Sequence, residues 1–175
     1  TVFVVSPVIP SALPTYSICA NNAAFNLNTV LTPSPSGGNW TGTGVTNPTF
    51  IPSVAGVGIH TVVYTIGTGT CLASAISNIT VNPSPNLTPI SPLTICNNTG
   101  FIVNLASNIP SSFVWQAIAT STVSGEVSLA QTSSVINNTL TNTTTSPQNV
   151  QYTVTPTSVP QGCLGGSSNF TVTVM

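Results

Sequence analysis

Two side chains in this sequence could hold or move a proton near neutrality, His60 and Glu126. General acid–base chemistry wants a positioned pair of titratable groups. His60 has no second histidine to join it, and the one carboxylate stands in the other half of the chain. A Ser-His-Asp arrangement is excluded because the chain contains no Asp, and a variant built on Glu126 lacks a nucleophile motif. Glu126 alone with backbone carbonyls is a weak cation site, since hard cations take several oxygen ligands with more charge. The expectation is therefore no catalytic, cofactor-binding or metal-ligating residue and no cofactor, with His60 on a strand surface.

Cys19, Cys71, Cys96 and Cys163 carry the remaining chemistry. An even count in a small β-rich chain reads as disulfides, and four cysteines allow three pairings. With two domains the local choice is Cys19–Cys71 and Cys96–Cys163, each closing a long loop and contributing roughly 4 kcal/mol in the chain-entropy model. Free buried thiols are the alternative; zinc is disfavoured because no CxxC pair supports it. Disulfides imply an oxidising location outside the cytoplasm.

The charge content excludes whole classes of partner. There is no Lys or Arg, so phosphate recognition and attachment to anionic lipid both lack their usual means. The longest apolar runs, such as Val2-Phe3-Val4-Val5, fall far short of the roughly 18 residues that span a bilayer. An apolar content of 41% is nevertheless too high for a disordered polar tract. Thr, Ser and Asn stand where charges usually do. Asn-x-Ser/Thr triplets begin at Asn39, Asn78, Asn86, Asn97, Asn137, Asn142 and Asn169, many of them expected by chance in such a composition. Trp40 and Trp115 could stack on sugar rings, but one Trp per sandwich more often sits in the core. Strand edges normally use Lys to block pairing; with none available, copies of the chain are expected to associate.

The elements that must position these residues repeat. Pro14-Thr15-Tyr16-Ser17-Ile18-Cys19 parallels Pro92-Leu93-Thr94-Ile95-Cys96, and an Asn pair follows each Cys. Each half has one Trp about 20 residues after that Cys. Val63-Tyr64-Thr65-Ile66 parallels Gln151-Tyr152-Thr153-Val154, and each half closes on a strand, Ser77–Val81 or Ser168–Val174. In the latter, Phe170, Val172 and Val174 share one face, the period-2 signature of a half-buried strand. Turn signals recur about every 8–12 residues with no helical periodicity, which argues for sandwiches. The spacing predicts a leading strand over 1–10, a first domain over 11–82, a proline-rich linker over 83–90 and a second domain over 91–175. Val2, Phe3, Val4 and Val5 are apolar on both faces. They read as an assembly strand, or the tail of a preceding repeat, whose two faces are covered.

The ordered string Cys19, Gly38–Val45, Phe50-Ile51-Pro52, Gly56-Val57-Gly58, Val63-Tyr64-Thr65, Cys71 and Ile79-Thr80-Val81 resembles Ig-like repeats of large Bacteroidetes surface proteins. The second half resembles the PKD-like repeats of the same proteins, through Ile95-Cys96, Phe113-Val114-Trp115, Val123-Ser124-Gly125, Leu140-Thr141-Asn142, Val150–Pro156 and Gly162-Cys163. One departure is clear. Antibody domains place a Tyr two residues before the second Cys, whereas Tyr64 and Tyr152 sit seven and eleven residues before it. The resemblance implies secreted multi-repeat cell-surface proteins used in adhesion or gliding. The combined expectation is an all-β chain of two Ig-like (PKD-like) antiparallel sandwiches, each with one intradomain disulfide. It would be a non-catalytic extracellular module of a surface fibre or adhesin, binding neighbouring repeats, copies of itself or surface polysaccharide. The alternative is a carbohydrate-binding module or an accessory domain of a secreted protein.

Overall fold

The computed structural model describes residues 9–175. The expected assembly strand Val2–Val5 lies outside the described residues, as does most of the leading strand expected over 1–10. The chain divides into two units at Pro83–Ser84.

The first unit carries β1 (Tyr16–Cys19), β2 (Phe25–Asn26), β3 (Asn39–Thr41), β4 (Val45–Thr46), β5 (Thr49–Phe50), β6 (Gly58–Ile66) and β7 (Ala73–Asn82). They form a four-stranded sheet, β1-β7-β6-β3, and a three-stranded sheet, β2-β5-β4. Two single-turn helices interrupt them, α1 (Leu27–Val30) and α2 (Pro52–Ala55). Asn26 starts α1 by accepting the Asn28 N–H at 2.8 Å, the usual N-cap role of Asn. Alternation decides the inner face: Val62 and Tyr64 of β6, and Ser77, Ile79 and Val81 of β7, are buried, while Ile59, Thr61, Ser74, Ile76 and Asn78 point to solvent. Each fully buried Val, Leu or Ile contributes about 1.5–3 kcal/mol, which lets so small a unit hold together.

The second unit carries β8 (Leu93–Ile95), β9 (Thr99–Asn104), β10 (Ser111–Ala117), β11 (Val123–Ser124), β12 (Val135–Asn142), β13 (Gln148–Ser158) and β14 (Ser168–Val174). Its sheets run β10-β13-β14-β8 and β11-β12-β9. Each unit is thus a four-plus-three β-sandwich. In each, the first strand pairs in parallel with the last, β1 with β7 and β8 with β14. The remaining pairings within the sheets are antiparallel. These are two immunoglobulin-like sandwiches, as expected.

That parallel pairing corrects the expected cysteine bonds. Cys19 lies opposite Asn82, at the end of β7, whereas Cys71 precedes the start of that strand. The length of β7 separates them by about 30 Å, far beyond the roughly 7 Å Cα spacing that a disulfide tolerates. Cys96 likewise follows the Ile95–Val174 pair at the end of β14, and Cys163 precedes its start. Neither intradomain bond forms. Cys71 and Cys96 are free and exposed, while Cys19 and Cys163 are disulfide-bonded.

Most of the segment expected as a proline-rich linker, 83–90, packs on the second unit. Leu87 bridges Ser107, the Thr88 N–H donates to Ala106 O at 2.8 Å, and Pro85 is buried. A Cβ on Gly165 would stand 2.2 Å from the Pro85 carbonyl oxygen, so only glycine lets the segment cross there.

Candidate functional site

The residues that could do chemistry are placed apart and already engaged. His60 lies on β6, half-buried, with Nε2 2.8 Å from the Gly56 carbonyl oxygen and its ring 6.3 Å from that of Phe50. Bonded in this way, Nε2 carries the proton and donates it to the carbonyl. Glu126 belongs to the second unit, where its Oε1 accepts the Thr120 N–H at 3.1 Å. Its Oε2 is buried without a partner among the described residues. No group of three or more His, Cys, Asp or Glu side chains gathers among the described residues. No helix there is long and apolar enough to cross a membrane.

Both tryptophans are core residues. Trp40 is 2% and Trp115 4% exposed. Trp40 sits on β3 opposite Tyr64, with ring centroids 5.0 Å apart, and its Nε1–H donates to Asn28 Oδ1 at 2.7 Å. Trp115 lies 6.2 Å from Tyr152, with Nε1–H on Ser133 Oγ at 3.0 Å. Tyr152 in turn stacks on Phe170 at 5.2 Å and meets the edge of Phe101 at 5.7 Å. Aromatic contact thus fills the centre of each sandwich, where antibody domains keep a disulfide.

The two tyrosines replace the absent antibody-type corner with bonds of their own. The Tyr64 hydroxyl accepts the Gly38 N–H at 2.7 Å and donates to Pro35 O at 2.8 Å, fixing the loop before β3. Gly38 must be glycine, because a Cβ there would fall 2.5 Å from the Tyr64 ring. The Tyr152 hydroxyl accepts Asn138 Nδ2 at 2.8 Å. Burial raises the Tyr152 phenol above its ordinary 10.0; the Asn138 hydrogen bond lowers it and the Glu126 charge raises it.

Asparagine side chains do the joining that ion pairs do elsewhere. Asn97 copies a strand partner: its Oδ1 accepts the Asn142 N–H at 2.8 Å and its Nδ2 donates to the Asn142 carbonyl at 3.2 Å. Asn142, 5% exposed, uses its own amide to bond Ser146 O, Val174 O and Thr144. Asn47 covers the β3 edge by accepting the Trp40 N–H at 2.9 Å while its Nδ2 donates to Asn39 Oδ1. An amide thus guards an edge where Lys usually stands. Of the Asn-x-Ser/Thr triplets, Asn142 is buried, Asn97 uses its Nδ2 on the Asn142 carbonyl, and Asn39 and Asn78 accept through Oδ1 from Asn47 and Thr61. Asn86, Asn137 and Asn169 are exposed. These amide roles escaped the sequence reading. The available signal was the β12 alternation Ile136, Asn138, Leu140, Asn142, which puts two asparagines on an apolar face.

The outward faces of the two four-stranded sheets form the broad accessible surfaces. In the second unit this face carries Thr94, Thr153, Thr155, Thr171 and Thr173, with Val114, Gln116 and Asn149 among them. The first presents Thr61 and Asn78 with Ile59 and Ile76. A hollow of about 230 Å³ between Leu87–Ile90 and Ser168–Phe170 has no titratable side chain in its lining.

The fold defines a pair of immunoglobulin-like β-sandwich modules. Within it, residues 93–175 match the family model of the PKD-like domain. No curated protein matches the chain. Among solved structures it is similar to Drosophila OTK extracellular domains 3–5, at 12% identity and a TM-score of 0.44, over 94% of this chain and 60% of that one. It is also similar to the complex of Dpr11 IG1 bound to DIP-gamma, at 9% identity and 0.39, over 94% and 98%. A titin I-band fragment, I67–I69, is similar at 12% identity and 0.38, over 95% and 66%. The chain spans less than two thirds of the OTK and titin chains.

Proposed function

We propose that this chain is a non-catalytic structural or adhesive repeat module of an extracellular surface fibre or adhesin, seated among neighbouring repeats or copies of itself. The observation that carries this reading is the separation of His60 and Glu126 into different units, each already bonded to backbone, beneath broad sheet faces without a single charged side chain. Such a molecule acts by extent and surface rather than by a reaction. The disulfide-bonded Cys19 and Cys163 suit an oxidising compartment. The match of residues 93–175 to the PKD-like domain supports the same class.

Surface polysaccharide is the weaker choice of partner. Sugar stacking wants exposed aromatic faces, and both tryptophans are enclosed. Negative-stain microscopy of the native material tests the proposal. The expected result is a filament or a projecting stalk; isolated compact particles would refute it.

A further inference from the structure

The bonded cysteines and the free ones obey one rule. The chain has four cysteines, of which Cys71 and Cys96 are free, so Cys19 and Cys163 are bonded to each other. Cys19 belongs to the first unit and Cys163 to the second. The repeat makes Cys19 and Cys96 equivalents. Each stands at the end of the first strand of its unit, and each carbonyl accepts from three residues on, from Asn22 N–H at 3.1 Å and Thr99 N–H at 3.2 Å. Cys71 and Cys163 are the other equivalents, each followed by Leu and placed before the last strand of its unit.

Parallel pairing of first and last strands decides where each kind lies. The chain leaves a sandwich at the end of the last strand, and the first strand ends beside that point. Cys19 is therefore opposite Asn82, next to the Pro83–Ser84 boundary. Cys96 follows the Ile95–Val174 pair, where the Met175 N–H donates to Ile95 O at 3.0 Å. The chain enters a sandwich on the opposite side, where the last strand starts. In the first unit the entering Pro14 accepts through its carbonyl from Ser77 Oγ, and Cys71 lies just before that strand. In the second, the entering Pro85 crosses at Gly165, close along the chain to Cys163. Each unit thus has one exit cysteine and one entry cysteine, and the Cys19–Cys163 bond runs from the exit of one unit to the entry of the next.

By the same rule Cys71 is an entry cysteine and Cys96 an exit cysteine, both free and exposed. We propose that they are complementary covalent docking sites whose partner is a second copy of this chain, Cys96 of one copy bonding Cys71 of the next. One chain carries one open site of each kind, so the joint is head-to-tail and leaves a site at each end to continue it. Joining two thiols releases two electrons and two protons; a small-molecule disulfide accepts both and leaves as two thiols. The Cys19–Cys163 bond needs an oxidant of the same class. The proposal deepens the surface-module reading by naming how copies join, and it rests on the oxidising compartment in that reading.

The experiment brings the folded full chain to equilibrium in a mixture of reduced and oxidised glutathione. Non-reducing electrophoresis and mass spectrometry of the linked peptides read the bonds. The parent is expected to give a ladder of oligomers joined Cys71 to Cys96, with Cys19–Cys163 intact. Cys71→Ser keeps only the open exit cysteine and Cys96→Ser only the open entry cysteine, and neither change touches the core because both side chains are exposed. Mixed in equal amounts, the two variants should form the Cys96–Cys71 heterodimer at about ten-fold or more over either homodimer, where random pairing gives about two-fold. The random ratio, a Cys71–Cys96 bond closed within one chain, or monomers that carry only glutathione would overturn the proposal. Each of those outcomes would leave the surface-module reading standing, because labelling of intact cells tests that separately.

Discussion

Replacing Tyr64 with Phe should cost the first unit about 2–4 kcal/mol, because two backbone groups lose their partner at once. The ring of Tyr64 is fully buried and keeps its packing against Trp40 in the variant. Only the hydroxyl goes, and with it the bonds to the Gly38 N–H at 2.7 Å and the Pro35 carbonyl at 2.8 Å. Each bond contributes about 1 kcal/mol net, and each part-buried group left unpaired adds a desolvation cost of similar size. Tyr152→Phe is the built-in comparison. Its hydroxyl accepts from Asn138 Nδ2 at 2.8 Å, a single bond against two, so its loss should be about 1–2 kcal/mol. Native-state hydrogen exchange reads the two units separately, through amides of β6 and β7 for Tyr64 and of β13 and β14 for Tyr152. At about 1.4 kcal/mol per decade, Tyr64→Phe should speed exchange there by roughly 30- to 1,000-fold. A change below about three-fold, or a larger effect from Tyr152→Phe, would refute the claim that the phenol anchors the loop before β3.

Alkaline pH should weaken the second unit through Tyr152. Burial above all holds its phenol above 10.0 in the folded state, so folding favours the neutral form. That contribution is complete below the unfolded value near 10 and is lost as pH rises through the higher folded value. Phenolate absorbance followed alongside β13 exchange should show the loss, and Tyr152→Phe should remove it; a flat profile across this window would count against the assignment. A thiol reagent should find two reactive groups per native chain, Cys71 and Cys96, and four after unfolding in reductant. A native count of zero would contradict the placement of those two cysteines. Asn97→Ala should destabilise the second unit by about 1–3 kcal/mol by stripping both backbone groups of Asn142, and Asn97→Asp, which keeps one acceptor, should recover part of it. Exchange at β12 measures both, and equal loss in the two variants would show that the acceptor contributes nothing.

Alternation made the long strands legible. β13 and β14 run for seven or more residues with a central run of apolar side chains at every second position, and their buried faces follow that pattern; β6 and β7 keep the same alternation of burial although His60 and Ser77 stand on the inner side. β2, β4 and β5 are two residues each, too short to carry a period, and only tertiary pairing creates them. The cysteines misled for a different reason. Proximity along the chain suggested intradomain bonds, but parallel pairing of the terminal strands carries Cys19 to one end of β7 and leaves Cys71 at the other. Tyrosine spacing announced that the antibody corner was missing without revealing what Tyr64 would hold instead. The proline-rich stretch looked like a stiff spacer because its prolines lack donors and favour extended backbone, yet Asn86, Leu87 and Thr88 find partners at Asn108, Ser107 and Ala106. The isolation of His60 from Glu126, by contrast, was already legible in their scarcity.

The central claim is that this chain works outside the cell as a non-catalytic surface module. Antibodies raised against the folded chain, applied to intact cells that make it and then to permeabilised ones, test that most directly. The account predicts full labelling before permeabilisation, and its loss when the intact surface is shaved with a protease that cuts at apolar residues. Labelling that appears only after the cells are opened would contradict it.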